Sequence, residues 1–403
     1  MAGYFNDVHC HLFNFEDVPF YATLRRKVKP IDTLGMLAAS LGIVNVERFR
    51  KFIMFFELPV QANLTAFLAE LREAAPGKNL LLTPLVMDFF DINPEAKPVH
   101  LQVEHLREGI AKCTTLSPGD RVLPFLGYDL RRLRSGSLDD FFRYWESSGG
   151  VSSVEKRSSP EALANGDVIG IKLYPPIGFN PDPSRERHAE IRKRYCDFYL
   201  WCIERRIPLT VHCQHSSYSM HSANRIRYYT HPLNWQKLLG RPGFGSLSIN
   251  FAHAGGWEDM AEWQGTLKPG VSGGEAAKPE SMPGSWSKVV VSLLKKYPNT
   301  YADLSAFNFA SRSARNALKK LLERDEHDQS GGYRLRKKLL WGSDIPMAIP
   351  AKACKQKGVS AYRHLYGRFA ETILGCSIER PEEALLDMTA TNPETFLFPS
   401  AQP

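Results

Sequence analysis

The stretch Leu247-Ser-Ile-Asn-Phe-Ala-His-Ala-Gly-Gly256 joins a short apolar segment to a histidine and a pair of glycines. The apolar part, Leu247–Ala252, has the length and composition of a buried β-strand. The glycines suit a tight turn with close backbone approach. Seven more segments have similar strand character: Tyr4–Val8, Leu80–Met87, Val122–Tyr128, Val168–Leu173, Leu209–His212, Thr300–Leu304 and Leu339–Gly342.

Helical patterns alternate with these strands, for example over Ser184–Arg205 and Ala310–Arg324. Eight strand–helix units predict an α/β protein with a parallel sheet, and specifically a (β/α)8 TIM barrel. We expect residues 1–403 to form a single domain. A helical insertion at 31–75 follows the first strand, where it could cover the barrel mouth or pack beside the barrel. A Gly-, Pro- and Ser-rich flexible loop is predicted at 264–285, after the sixth strand.

Polar residues end several of the apolar segments. They are His9, His11, Lys172, His212, His253 and Asp344. Burying such groups is costly unless something pairs with them, and a divalent metal ion is the simplest partner for imidazole and carboxylate ligands. Because alternate residues of a strand share a face, His9 and His11 can reach one ion. In a TIM barrel all of these positions lie at the C-terminal ends of the strands, where active sites form.

Each residue taken alone has a simpler interpretation. A single histidine such as His212 or His253 is more often a hydrogen-bonded structural residue, and Asp344 could cap a turn. Lys172 has three interpretations, in order of preference: a free cation that holds a substrate carboxylate, a carbamylated bridge between two metals, or a side chain that reaches solvent. The joint pattern, however, would rarely arise by accident.

Composition limits the remaining classes of function. The net charge of +8 raises nucleic acid as a partner, but the basic residues are scattered and no nucleic-acid motif accompanies them. Surface charge, or attraction of an anionic substrate, explains the excess better. The chain has no apolar run of transmembrane length and no signal-type N-terminus, and its seven cysteines form no C-x-x-C pair. We therefore expect a cytoplasmic enzyme with a small-molecule substrate and no nucleic-acid or membrane partner. The sequence leaves open whether the chain forms a homo-oligomer.

The motifs DVHCH (7–11), GIKLYP (170–175), VHC (211–213), FAHAGG (251–256), YADLS (301–305) and LWGSDIP (340–346) stand in this order along the chain. In this respect the chain resembles the amidohydrolase superfamily, and within it the amidohydrolase-related branch that includes aminocarboxymuconate-semialdehyde decarboxylase. The resemblance implies one or two divalent ions held by His9, His11, His212 and Asp344. Zinc is expected first; manganese, iron and cobalt are also compatible with these ligands. The resemblance also implies that Asp303 and Ser305 support the metal ligands or line the substrate pocket.

The leading hypothesis for function is metal-dependent hydrolysis. Activated water would attack an amide, ester or lactone carbonyl of a small anionic substrate, with Asp344, His253 and Lys172 as catalytic residues. The candidates for substrate binding are Lys172, Tyr174, His215, Arg225, Asp303 and Ser305. Arg225 is expected in a basic loop, Arg225–Tyr229, that helps Lys172 to hold an anionic part of the substrate. The alternative is a metal-dependent, non-oxidative decarboxylase of an aromatic or unsaturated acid. A third hypothesis is a binding protein that keeps the barrel but does not turn over its ligand.

Overall fold

The computed structural model describes residues 3–14, 17, 58–89, 98–215, 221–270, 284–347 and 361–398. Two predicted features lie partly outside these residues. Of the 31–75 insertion, only residues 58–75 are described. Of the 264–285 loop, residues 271–283 are outside, so its flexibility stays a prediction.

Short parallel strands alternate with helices along the described chain. The strands are β1 (Phe5–Cys10), β2 (Leu80–Pro84), β3 (Arg121–Val122), β4 (Phe125–Gly127), β5 (Gly170–Leu173), β6 (Leu209–His212), β7 (Ile249–Ala252), β8 (Thr300–Asp303) and β9 (Leu339–Leu340). Strands β1 to β3 form one sheet in chain order, and β4 to β9 form another. Every strand pair in both sheets is parallel.

Backbone hydrogen bonds join the two sheets at both edges. Val86 N, just beyond β2, donates to Phe125 O of β4 at 3.0 Å, and Val8 N of β1 donates to Trp341 O beyond β9 at 3.2 Å. The strands therefore follow one another around a ring. The α/β class and the (β/α)8 barrel are as predicted.

One predicted strand is divided. Val122–Tyr128 contains Pro124, and the structure has β3 before it and β4 after it. Proline has no N–H to donate to a neighbouring strand, so a regular ladder cannot continue through it. Together β3 and β4 occupy the third position of the ring, which keeps the predicted count of eight.

The α-helices of the described residues surround these strands. They are α1 (Val60–Ala74), α2 (Val99–Ala111), α3 (Arg132–Ser135), α4 (Leu138–Ser147), α5 (Ala189–Glu204), α6 (Ala223–Thr230), α7 (Leu233–Leu239), α8 (Trp257–Trp263), α9 (Trp286–Lys296), α10 (Arg312–Glu326), α11 (Ala361–Leu374), α12 (Pro381–Leu386) and α13 (Asn392–Leu397). No helix in this part of the chain is long and apolar enough to cross a membrane.

The predicted helix ends shift by a few residues, for local reasons. A separate 3-10 turn, Pro183–Arg185, precedes α5, so the helix begins later than the predicted Ser184. Helix α10 begins after Ser311, whose side chain accepts a hydrogen bond from Ala314 N. A serine at this position satisfies a backbone N–H that has no partner inside the helix. In the described part of the insertion, α1 packs against α2 and α11, beside the barrel.

The alternation of side chains along the strands places the site. Ile171 and Leu173 of β5 pack in the core between strands and helices, so Lys172 points the other way, into the barrel. By the same alternation, four residues of the next three strands face inward: Thr210, His212, Asn250 and Asp303. Apolar residues such as Leu81 and Leu340 form a second, inner core. The barrel interior therefore carries a polar cluster at the C-terminal ends of its strands.

Candidate metal centre

Two histidines and a carboxylate meet where β1 and β9 end. The Nε2 atoms of His9 and His11 each lie 3.3 Å from Oδ1 of Asp344. Backbone hydrogen bonds fix this approach, because Asp344 N donates to His9 O at 2.7 Å and His11 N donates to Ile345 O at 2.8 Å. A Cβ at Gly342 would come within 2.7 Å of His9 Cβ, so a glycine is required there. The structure thus brings together three of the four predicted metal ligands.

The other ring nitrogen of each histidine faces a hydrogen-bond acceptor. His9 Nδ1 lies 3.0 Å from Asp303 Oδ2, and His11 Nδ1 lies 3.0 Å from Leu85 O. A carbonyl and an ionised carboxylate can only accept, so in each neutral ring the proton lies on Nδ1. The Nε2 lone pairs then point toward the Asp344 carboxylate. This arrangement is repulsive unless a cation or additional protons lie between the three groups.

The remaining predicted ligand, His212, lies beside His253. His253 Nε2 is 3.2 Å from His212 Nδ1, and His253 Nδ1 is 3.2 Å from Ser305 O. If Ser305 O accepts from His253 Nδ1, His253 Nε2 accepts in turn from His212 Nδ1. This chain of hydrogen bonds assigns the lone pair of His212 to its Nε2 atom.

The backbone is strained at this edge of the barrel. His253 has φ of 68° and Asp344 has φ of 56°, both in the left-handed region that non-glycine residues rarely occupy. His253 N donates to Asp303 Oδ1 at 3.0 Å, which helps to hold the conformation. Such strain is concentrated at functional sites in proteins generally.

Asp303 and Ser305 form a support beneath the histidines. Ser305 Oγ lies 2.9 Å from Nδ1 of both His9 and His253, and it donates to Asp303 Oδ1. Asn250 Nδ2 donates to Asp303 Oδ2 at 2.7 Å. Burial raises the pKa of Asp303, but the neighbouring His9 lowers it by more, so the net pKa is well below the usual value. Both residues are buried and contact protein groups, which favours the supporting role over direct substrate contact.

Lys172 faces the same cluster from β5. Its side chain is buried, and burial lowers its pKa to about 8, although Asp303 and Asp344 raise it. The nearby carboxylates therefore compensate part of the cost of burying an ammonium group. Tyr174, two residues further on, packs its ring 4.9 Å from the ring of His212. Both predicted residues thus lie at the cluster.

Two other predicted substrate-binding residues lie outside the cluster. His215 Nε2 is 3.5 Å from Asp259 Oδ1, and its ring centroid is 4.1 Å from that of Trp286. Arg225 is exposed on α6. The predicted basic loop Arg225–Tyr229 is wrong, because these residues belong to that helix.

Some residues of the site were not assigned from the sequence. Asp7 accepts hydrogen bonds from His9 N and Ser343 N, both at 3.1 Å, and so ties β1 to the segment after β9. It stands two residues before His9 in the DVHCH motif, and this proximity in the sequence was a usable signal. Asn250 and Asp259 offered no comparable signal, because their partners come from distant parts of the chain.

Two groups of residues in the described chain could hold a metal ion. One is His9, His11 and Asp344, and the other is His9, His253 and Asp303. In each group the ligand atoms lie within 4.8 Å of one another. The two groups share His9, and in the second group Asp303 is already the acceptor for His9 Nδ1.

Comparison with known proteins supports the fold. The chain resembles 5-carboxyvanillate decarboxylase from Novosphingobium aromaticivorans, complexed with manganese and 4-hydroxy-3-methoxy-5-nitrobenzoic acid, with a TM-score of 0.50 and 12% identity over 98% of this chain and 96% of that chain. It also resembles a probable 2-pyrone-4,6-dicarboxylic acid hydrolase from Acinetobacter baumannii with citric acid bound (TM-score 0.47, 14% identity, 99% of both chains). A third structure is dihydroorotase from Campylobacter jejuni (TM-score 0.42, 15% identity, 97% of this chain and 82% of that chain).

These structures are enzymes of the amidohydrolase superfamily, which is the family that the sequence motifs resemble. At such low identity the similarity establishes the fold alone, and the match to the decarboxylase carries that conclusion. No protein-family model matches the chain, and no curated protein matches it by sequence.

Proposed function

We propose that this chain is a metal-dependent hydrolase of the amidohydrolase-related branch, acting on an amide, ester or lactone of a small anionic substrate. The main support is the arrangement of His9, His11 and Asp344. Two imidazole lone pairs and a carboxylate oxygen face one another at 3.3 Å, with the Nδ1 protons directed elsewhere. A divalent cation resolves this repulsion, and these atom types are ordinary zinc ligands.

The residues present fit such an ion. His9, His11 and Asp344 would hold it, with His212 Nε2 as the further nitrogen ligand. When bound, the ion supplies positive charge that acidifies water and polarises a carbonyl group. We propose a single ion. Asp303 already accepts the hydrogen bond from His9 Nδ1, so it is not available as a ligand in the second candidate group. Zinc is the first expectation, with manganese, iron or cobalt as alternatives.

The protein side chains would then divide the chemistry. Asp344 is the proton acceptor for the attacking water. Although burial raises its pKa, the neighbouring His11 and His9 hold the pKa well below the usual value, so the carboxylate is ionised. Lys172 holds an anionic group of the substrate. Burial lowers the pKa of His253 to about 4, so this ring is neutral near neutral pH. Its proposed task is therefore to orient His212, and proton donation from an imidazolium is disfavoured.

The test is a substrate panel with product analysis. Metal-loaded protein would be incubated with small anionic amides, esters and lactones in water enriched in heavy oxygen. Incorporation of heavy oxygen into the new carboxylate, lost in Asp344→Asn, is the expected result. Turnover that is unchanged in Asp344→Asn would contradict the proposed mechanism.

Decarboxylation of an aromatic or unsaturated acid is the second candidate. The specific observation in its favour is Lys172, a buried cation that could fix a carboxylate next to the ligand cluster. The structural similarity to 5-carboxyvanillate decarboxylase agrees with it. Release of carbon dioxide without incorporation of water oxygen would favour this reaction over hydrolysis.

The remaining expectations rest on composition. A cytoplasmic location, a small-molecule substrate, and the lack of nucleic-acid and membrane partners stay predictions. Homo-oligomerisation stays open, and sedimentation of the full chain would decide it.

A further inference from the structure

The hydroxyl group of Ser305 stands between three polar side chains. Its Oγ lies 2.9 Å from Nδ1 of His9 and 2.9 Å from Nδ1 of His253, and it donates a hydrogen bond to Asp303 Oδ1. Ser305 is 1% exposed, and Asp303 is fully buried. The direction of each of these hydrogen bonds follows from the chemistry of the groups.

The Asp303 carboxylate decides where the hydroxyl proton of Ser305 lies. Its Oδ1 also accepts from the backbone N atoms of His253 and Ser305, at 3.0 Å and 3.1 Å, and its Oδ2 accepts from Asn250 Nδ2 at 2.7 Å. An ionised carboxylate can only accept, so the single hydroxyl proton points at Asp303. The two lone pairs of Oγ then face the two imidazoles. In neutral rings, Nδ1 of His9 and Nδ1 of His253 therefore both carry the proton.

The tautomer of His253 determines that of His212. With its proton on Nδ1, His253 has a lone pair on Nε2, which accepts from His212 Nδ1 at 3.2 Å. The proton of a neutral His212 is thus on Nδ1, and its Nε2 carries the lone pair that a metal ligand needs.

The opposite tautomer of His253 would disable this ligand. His253 would then donate from Nε2 to His212 Nδ1, which leaves the His212 proton on Nε2, where it blocks metal binding. The same tautomer would direct the Nδ1 lone pair of His253 at the oxygen atoms of Ser305. The hydroxyl group of Ser305 therefore opposes the form of the histidine pair that cannot bind a metal ion.

We propose that Ser305 is a positioning residue that fixes the metal-binding tautomer of His212, acting through His253. The basis is one hydroxyl group whose donor and two acceptor positions are all used by the protein. The inference rests on the proposed function, because it requires His212 to be a metal ligand.

The tautomers can be measured in the metal-free full chain, by nitrogen NMR with isotope-labelled histidine and signals assigned by single histidine substitutions. In wild type, His253 and His212 should both carry the proton on Nδ1. In Ser305→Ala, a population of His253 with the proton on Nε2 should appear, because only the carbonyl oxygen, 3.2 Å from Nδ1, still opposes it. A wild-type His253 with the proton on Nε2, or tautomers that are unchanged in Ser305→Ala, would overturn the proposal.

Metal affinity, measured by competition with a chelator, tests the route through His253. Ser305→Ala should lower the affinity by about tenfold, as for other groups that orient metal-bound histidines. His253→Phe removes the intermediate residue, so adding Ser305→Ala to it should cause little further loss. Losses that add in the double variant would mean that Ser305 acts by another route, against the proposal.

Two further variants are the controls. Ser305→Thr keeps the hydroxyl group and should retain most of the affinity, and a folded Ser305→Thr variant as weak as Ser305→Ala would also overturn the proposal. Ser148→Ala changes a buried serine that follows α4, at the N-terminal end of the barrel, and should bind metal like wild type. Thermal unfolding confirms that each variant folds. If the proposed function fails, wild type takes up no divalent ion, while the tautomers of the metal-free chain still decide the role of Ser305.

Discussion

Lys172 and Lys338 are buried at opposite ends of the barrel. Lys172 lies near the C-terminal end of β5 and Lys338 directly before β9, with exposures of 2% and 3%. Burial lowers the pKa of each to about 8. By charge and burial alone, the two residues look alike.

Their surroundings differ. The ammonium group of Lys338 donates to Tyr297 O at 3.4 Å and to Pro298 O. It also lies over the rings of Tyr333 and Tyr301, at 4.1 Å and 4.9 Å from their centroids. Backbone oxygens and aromatic faces thus satisfy this cation without any ligand. Its role is structural.

Within the described residues, the ammonium group of Lys172 has no hydrogen bond, and its charge is balanced only at a distance by Asp303 and Asp344. The neighbouring histidines likewise direct lone pairs at a carboxylate. A buried charge is therefore weak support for a functional site when its partners are complete. The incomplete pairing at the C-terminal end distinguishes the site from the opposite end of the barrel.

The largest expected effect is on Asp344, at the functional end. Asp344→Asn should lower kcat/KM by about a thousandfold or more, because it removes both the proton acceptor and a charged metal ligand. Steady-state kinetics on any substrate found in the panel measure the loss. Lys338→Met is the matched control, and its kcat/KM should stay within about threefold of wild type. Equal losses of kcat/KM in both variants would contradict the claim that only the C-terminal end of the barrel carries the functional site.

Lys172→Met comes next. Loss of a buried cation that pairs with the substrate should reduce kcat/KM by about thirtyfold or more, chiefly through KM. Metal content should be unchanged, because Lys172 is expected to be free. A variant that loses metal would instead support a carbamylated Lys172 that bridges two ions.

Asp303→Asn should act through His9. The asparagine is a weaker acceptor for His9 Nδ1, so the orientation of the ring and the basicity of Nε2 are reduced. Metal affinity should fall by about ten- to a hundredfold, as for other supports of metal-bound histidines. Competition with a chromophoric chelator measures it, with Asp325→Asn, remote from the cluster, as the control. An unchanged affinity would mean that Asp303 has no part in holding the ligand.

The fold and much of the site were predictable from the sequence. Strand alternation placed Lys172 inside the barrel and paired His9 with His11, because the side-chain period of a strand is local and fixed. The position of Asp344 followed from parallel strands ending at one edge. Pro124 was a visible signal for the break between β3 and β4.

Tertiary hydrogen bonding was beyond the sequence. The contact of Asp303 with His9 joins residues 294 positions apart. The pairing of His215 with Asp259 likewise depends on how α8 docks beside β6. The helix Ala223–Thr230, on which Arg225 is exposed, was not predicted from the sequence.

The last expected effect is a pH dependence of stability, which the two lysines share. Burial lowers the pKa of Lys338 from 10.5 to about 8, so between these pH values the folded chain has lost a proton that the unfolded chain retains. Stability should therefore rise with pH through this window, by roughly 3 kcal/mol at most for one such lysine. Urea unfolding of wild type and Lys338→Met at several pH values tests this. The rise should be smaller in Lys338→Met, and a wild-type stability that falls through this window would contradict the assignment.

The most direct test of the account is the metal content of protein purified without chelators, measured by mass spectrometry for wild type, His11→Ala and Lys338→Met. The account predicts about one divalent ion per chain in wild type, as at a catalytic site with protein nitrogen and oxygen ligands. It also predicts that His11→Ala loses this ion and Lys338→Met retains it. A wild-type chain that neither carries nor takes up a divalent ion, or a His11→Ala variant that keeps its full content, would contradict the central claim.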